Sequence, residues 1–374
     1  MVKLILGLIL LAASWLVIFP APHIAFWKLS VGITSYAYVC ILLALALAIT
    51  AAFGNKYVLL TCIVASLAAG IYCLPIIRAW QCNGSIHIDL QAALPLQVPP
   101  QNKKAFSLIG MFGSAQKVPF ITRPYYTDSL HTLTFDYYEA RTNKKVAPLV
   151  IVIHGGSWQS GDSKQLPELN SYLALQGYNV AAINYSLAPA YKSPQPEYDT
   201  KAAIQYFINN SLQYKVDTSR IVLLGRSAGA QIALCAAYKY KLPCLKGVIN
   251  FYGPADMVWA GKLPPNAGVL DNKGIYNAYL GGLYSQVPAM FELATAVTHV
   301  TPAAPATLTI HGQIDPLVFK THAEHLHKKL NEANVPNYYL KLYNATHGCD
   351  YSLQSPAGQL SSFAVMHFLK YVTQ

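Results

Sequence analysis

Ile221-Val222-Leu223-Leu224-Gly225-Arg226-Ser227-Ala228-Gly229 is the stretch on which the reading of this chain turns. Four apolar residues, two of them β-branched, predict a strand buried on both faces, and the alanine-rich run that follows, 228–240, predicts a helix. Between them lies Gly-x-Ser-x-Gly. Glycines on both sides of the serine permit a strand-to-helix turn too tight for larger side chains, and that turn pushes the Ser227 hydroxyl out beyond the end of the strand. The pentapeptide alone is a weak signal; strand, pentapeptide and helix together predict an exposed nucleophile.

A serine hydroxyl needs a base, and the base needs an orienting carboxylate. Both are expected later in the chain, in the order Ser, Asp, His. The predicted strand 307–311 runs into Gly312-Gln313-Ile314-Asp315-Pro316, which puts Asp315 just past a strand end. A strand at 338–343 runs into Asn344-Ala345-Thr346-His347-Gly348, which puts His347 on the next loop. Upstream, the β-branched strand 148–153 ends in His154-Gly155-Gly156-Ser157-Trp158. The backbone N–H groups of Gly155 and Gly156, with that of Ala228, are the expected donors to a developing oxyanion. This chemistry requires no metal or cofactor.

Working outward, further strands are expected at 133–140, 179–184 and 245–251, with helices at 166–176 and 198–209. Strands alternating with helices predict an α/β fold built on a mostly parallel sheet. Residues 255–301 break the rhythm with frequent Gly and Pro and are expected to form a cap insertion. Trp158, Tyr252 and Trp259 flank the motif loops and are candidate substrate-pocket residues.

These motifs resemble the α/β-hydrolase superfamily, in particular its hormone-sensitive-lipase-like and feruloyl-esterase-like carboxylesterases. The likeness is carried by HGGSW with Gly161-Asp162 following, Asn184-Tyr185 before Ala188-Pro189, GRSAG, HGQID and THG, and covers about residues 130–374. It implies an α/β-hydrolase fold and a serine esterase that works through an acyl-enzyme on a small-molecule or lipid-like ester. Ser157 departs from the third glycine of the HGGG pattern. Arg226 departs from an acidic residue frequent before the serine; it would either meet an anionic substrate group or be a solvated or salt-bridged arginine. The layout also resembles membrane-tethered isoprenylcysteine methylesterases. Two other classes share the scaffold: a serine peptidase or amidase, and a non-catalytic ligand-binding receptor.

The composition of the 374 residues, 53% hydrophobic and 11% charged, excludes disorder, coiled coil and collagen. The shortage of charge is local. The first 88 residues hold Lys3, Lys28, Lys56 and Arg78 and no acid, whereas the remaining 286 hold 23 basic and 16 acidic residues. Three apolar stretches, 2–19, 31–53 and 57–77, approach the ~20 residues that a bilayer core demands. The expectation is about three transmembrane helices within 1–80, with Gly54-Asn55-Lys56 as a tight hairpin between the last two. A linker and domain edge at 81–130 and a catalytic domain at 131–374 would follow. Counting the amino terminus with Lys3, the positive-inside rule leans towards a catalytic domain on the non-cytoplasmic side of the membrane. The net charge of +11 comes without Lys/Arg runs longer than pairs, a pattern that does not suggest nucleic acid. His322 and His325, three residues apart on an expected helix, are a conceivable metal pair, against which the outer position of that helix speaks. The seven cysteines form no CxxC.

Overall fold

Five helices open the chain in the computed structural model, which describes residues 1–53, 56–97, 104–129, 131–264 and 268–374. They are α1 (Val2–Ser14), α2 (Ile24–Ser35), α3 (Ala37–Ala51), α4 (Val58–Tyr72) and α5 (Leu74–Ala93). The remainder alternates strands and helices as β1 (Ile121–Thr127), β2 (Thr132–Tyr138), β3 (Ala147–Ile153), α6 (Pro167–Leu175), β4 (Asn179–Ile183), α7 (Gln195–Asn209), β5 (Val216–Arg226) and α8 (Ala228–Tyr240). It continues through β6 (Leu245–Phe251), α9 (Met257–Gly261), α10 (Asn272–Leu280), α11 (Pro288–Ala294), β7 (Ala306–Gly312), α12 (Thr321–Glu332), β8 (Asn337–Leu342) and α13 (Pro356–Thr373).

The eight strands form one sheet in the order β1-β2-β4-β3-β5-β6-β7-β8. β1 and β2 are antiparallel to their neighbours and the rest are parallel, so the expected α/β-hydrolase architecture with a mostly parallel sheet is what the chain adopts. Period-2 side-chain alternation divides the core between the two faces. Leu149, Ile151 and Ile153 of β3 join a cluster with α7, α8 and the 255–301 stretch, while Val150 and Val152 join one with α6 and α13. β1 falls where a linker was expected. It is an edge strand, exposed at most positions and interrupted by Pro124 where its register with β2 shifts, so it lacks the apolar signature of the buried strands.

The N-terminal helices differ from the expected three spans. Helix α1, with 13 residues, is short for a crossing. Helices α2 and α3 meet at 85° and would make one broken span only as a pair. Among the described residues, the one helix long and apolar enough to cross a bilayer is the continuous Val58–Ala93, formed by α4 and α5. A set of multiple crossings is therefore not supported by helix length. The second half of that helix, expected to be linker from residue 81, instead buries Ala79, Ile86 and Leu90 in the core beside α13. The expected hairpin residues Gly54 and Asn55 lie outside the described residues, as do 98–103 and 130 of the expected linker and 265–267 of the expected cap.

Candidate active site

Strand register brings the relevant loops to one edge. Ile153 pairs with Gly225, Gly225 with Asn250, Asn250 with Thr309, and Gly312 with Leu342, so the carboxyl ends of β3, β5, β6, β7 and β8 stand level. In open parallel sheets this is the edge where ligands bind.

Ser227 sits between β5 and α8 at φ +53°, ψ −120°, a strained conformation for a residue with a side chain. The two glycines flanking it are required by close approach. A Cβ on Gly225 would lie 2.3 Å from the Gly229 carbonyl oxygen, and one on Gly229 would lie 2.3 Å from the carbonyl oxygens of Ile153 and His154. The turn is tied to the sheet by the Ser227 N–H, which donates to the Phe251 carbonyl.

The structure brings Ser227, His347 and Asp315 into one hydrogen-bonded line. His347 Nε2 is 3.0 Å from Ser227 Oγ, and His347 Nδ1 is 2.7 Å from Asp315 Oδ2. Asp315 Oδ1 accepts the N–H groups of Leu317 and Val318 at 2.8 and 2.9 Å, which fixes the carboxylate plane. Burial pushes the Asp315 carboxyl up, but His347 and His311 beside it outweigh that and hold it well below the usual carboxylate range. His311 Nε2, 3.3 Å from Asp315 Oδ2, also lies 2.8 Å from the Val318 carbonyl, so it carries the proton and donates. In the sequence His311 marks only the end of a predicted strand, and nothing in its spacing reveals this contact.

The 154–158 loop partly corrects the expected oxyanion donors. The Gly155 N–H donates to Gln165 Oε1 at 2.7 Å and is spent there. The N–H groups of Gly156, Ser157 and Ala228 have no such partner among the described residues, and all three residues border the cavity in front of Ser227. Ser157, which interrupts the glycine run in the sequence, has φ +52°, so the backbone keeps a turn normally favoured by glycine.

Two of the three aromatic candidates border that cavity and one does not. Trp158 is buried, stacks on Tyr279 at 4.3 Å, and donates from Nε1 to Gln231 Oε1 at 2.9 Å. The Tyr252 ring lies 4.4 Å from that of His347, and its hydroxyl donates to Asp350 Oδ1 at 2.5 Å. Trp259 instead packs edge-on against His322 and His325 of α12, and its backbone N–H donates to Asp256 Oδ1, the N-cap of α9. His322 and His325 do not converge as a metal pair. His322 Nδ1 accepts the Asp256 N–H, and His325 Nδ1 lies 2.8 Å from Asp256 Oδ2.

Arg226 takes the salt-bridged alternative. Its side chain is wholly buried, with Nε 2.5 Å from Asp350 Oδ2. Burial disfavours its charge, but Asp350 more than compensates and keeps it cationic. Asp350, three residues beyond His347, was not singled out in the sequence.

Residues 135–330, more than half the chain, match the BD-FAE family. Esterase LipQ of Mycobacterium tuberculosis is 29% identical over 217 residues, which are 54% of this chain and 51% of the relative. An isoprenylcysteine alpha-carbonyl methylesterase of Arabidopsis thaliana is 32% identical over 112 residues, 30% of this chain and 26% of the relative. The chain thus spans about half the length of LipQ and less of the plant protein. Among solved structures, a bacterial heroin esterase superimposes with a TM-score of 0.60 at 19% identity, covering 71% of this chain and 88% of that one, a likeness of fold.

Proposed function

The chain belongs to the BD-FAE family, and from that premise we propose that it is a membrane-anchored serine carboxylesterase. The observation that carries the reading is the line Ser227–His347–Asp315, with contacts of 3.0 and 2.7 Å, at the mouth of a cavity. Ser227 Oγ attacks the ester carbonyl carbon as its proton passes to His347 Nε2. Collapse of the tetrahedral intermediate breaks the bond to the alcohol oxygen, which takes that proton from His347 and leaves. Water then attacks the acyl-enzyme with the same base, releases the acid, and restores Ser227. Asp315 holds the imidazole with the Nδ1 proton facing it. The N–H groups of Gly156, Ser157 and Ala228 face the oxyanion, and each such donor contributes roughly 3 kcal/mol to the transition state. An ester rather than an amide substrate follows the names of the relatives, an esterase and a methylesterase. Replacing Ser227 with Ala is expected to lower hydrolysis of 4-nitrophenyl acetate by roughly a thousandfold or more; unchanged hydrolysis would end this reading.

The anchor in this proposal is the first half of the Val58–Ala93 helix together with α3 packed against it, so that the chain enters and returns. Helix α2 then stays beside the catalytic part, and Lys3, whose ammonium donates to the Thr50 carbonyl, sits at the far end. Leu59, Leu60, Ile63 and Leu67 are exposed on α4, whereas the α5 half is held against α13. Thirty-six helical residues extend about 54 Å, so a ~30 Å bilayer core takes up the apolar half and leaves the rest outside. The non-cytoplasmic placement of the catalytic part rests on the charge bias of Lys3 and the amino terminus. Protease accessibility in sealed vesicles tests it.

A further inference from the structure

The cavity in front of Ser227 has a volume of about 680 Å³, far more than an acetyl or methyl group requires. One wall comes from outside the residues that match the family. Ile24, Trp27, Val31 and Gly32 of α2 form that wall, and Met257 of α9 and Ile275 of α10, within the matched residues, line the cavity as well. Three contacts bind this N-terminal segment to the catalytic side. The Trp27 Nε1–H donates to the carbonyl oxygen of His347 at 3.1 Å, the Asn344 side chain donates to the Val17 carbonyl at 2.9 Å, and the Ile24 N–H donates to the Gly268 carbonyl at 3.1 Å. The segment is thus built into the site.

The chemistry of the wall selects the ligand. Of the α2 residues that border the cavity, Ile24, Trp27, Val31 and Gly32 are apolar and Lys28 alone is charged. A mostly apolar wall next to a nucleophile favours a hydrocarbon arm over a sugar, most of whose hydroxyls would be buried there without partners. We infer that α2 completes the substrate site and that the site takes esters with one long apolar arm lying along α2. The other side of α2 exposes Phe26 and Leu29. The inference deepens the esterase reading above and rests on it.

Gly32 provides a direct test. It borders the cavity, and a Cβ built on it meets no atom within 4 Å, so the first carbon of a larger side chain is accommodated at the cavity's edge. In the full-length protein, kcat/KM is measured for 4-nitrophenyl alkanoates, which vary the acyl arm, and for alkyl acetates, which vary the alcohol arm. In at least one series Gly32→Leu is expected to lower the ratio of dodecyl-length to butyl-length substrate at least tenfold. Val31→Phe repeats the test from the neighbouring position should Gly32→Leu fail to fold. Gly70→Leu, on α4 away from the cavity and equally unobstructed, is expected to keep the wild-type ratio. Unchanged ratios in both series for the α2 variants would overturn the inference while leaving the esterase reading intact. Absence of Ser227-dependent butyrate hydrolysis in the wild-type protein would overturn both.

Discussion

Arg226, the residue before the candidate nucleophile, and Asp350, three residues after the candidate base, form one buried ion pair with Nε and Oδ2 2.5 Å apart. The Tyr252 hydroxyl donates to the other carboxylate oxygen, and the Tyr252 ring lies against His347. The pair therefore fastens the β5–α8 turn to the loop after β8, and the tyrosine bridges from that fastening to the imidazole. Removing one partner leaves the other charge uncompensated in the interior. Asp350→Leu is expected to destabilise the fold by about 3–5 kcal/mol. The double variant Arg226→Met, Asp350→Leu should recover much of that loss, which denaturant titration of both proteins would show.

The Gln165 side chain takes the Gly155 N–H and thereby sets the turn that presents the next two amides. Gln165→Ala is expected to lower kcat about tenfold or more with little change in KM, the pattern for an interaction that matters only in the transition state. Gln165→Glu keeps the acceptor oxygen and should retain more activity. Steady-state kinetics on a short 4-nitrophenyl ester separates the two variants.

His322 predicts an acid limb in stability. Burial, with help from His311 and His325 and against the pull of Asp315, lowers its pKa from 6.5 to about 3. Between those values the unfolded chain binds a proton that the folded chain does not, so stability falls as pH drops from about 6.5 towards 3. His322→Asn keeps an acceptor for the Asp256 N–H and removes the titration. Its stability should fall less steeply over that window, by up to about 1.4 kcal/mol per pH unit. Parallel pH dependence in both proteins would count against the assignment.

Much of this was legible because the signals are local. Residues 148–153 and 221–224 are apolar runs ended by glycine motifs, and each became a strand with its motif at the carboxyl end. The order Ser227, Asp315, His347 could be read from three such strand ends. What escaped the sequence depends on contacts between distant segments. Gln165 reaches back to Gly155 across a loop, Asp350 reaches Arg226 over 124 positions, and Trp27 reaches His347 over 320. The apolar N-terminus misled in a different way. Hydrophobicity reports that a helix avoids water, and it does not separate lipid from a protein neighbour. Ile86 and Leu90 of α5 and Trp27 of α2 are turned towards the protein. Trp259 shows the same limit on a smaller scale, since sequence proximity to a motif does not say which way a ring points.

The central claim, that Ser227 is acylated and then released with His347 as base, is tested most directly by the intact mass of the protein quenched in acid during turnover of 4-nitrophenyl acetate. The account predicts one added acetyl group, located on the peptide that carries Ser227. The adduct should be absent in Ser227→Ala, and it should form far more slowly in His347→Ala. Steady hydrolysis with no adduct in the wild-type protein, or an adduct that persists in Ser227→Ala at the wild-type rate, would contradict it.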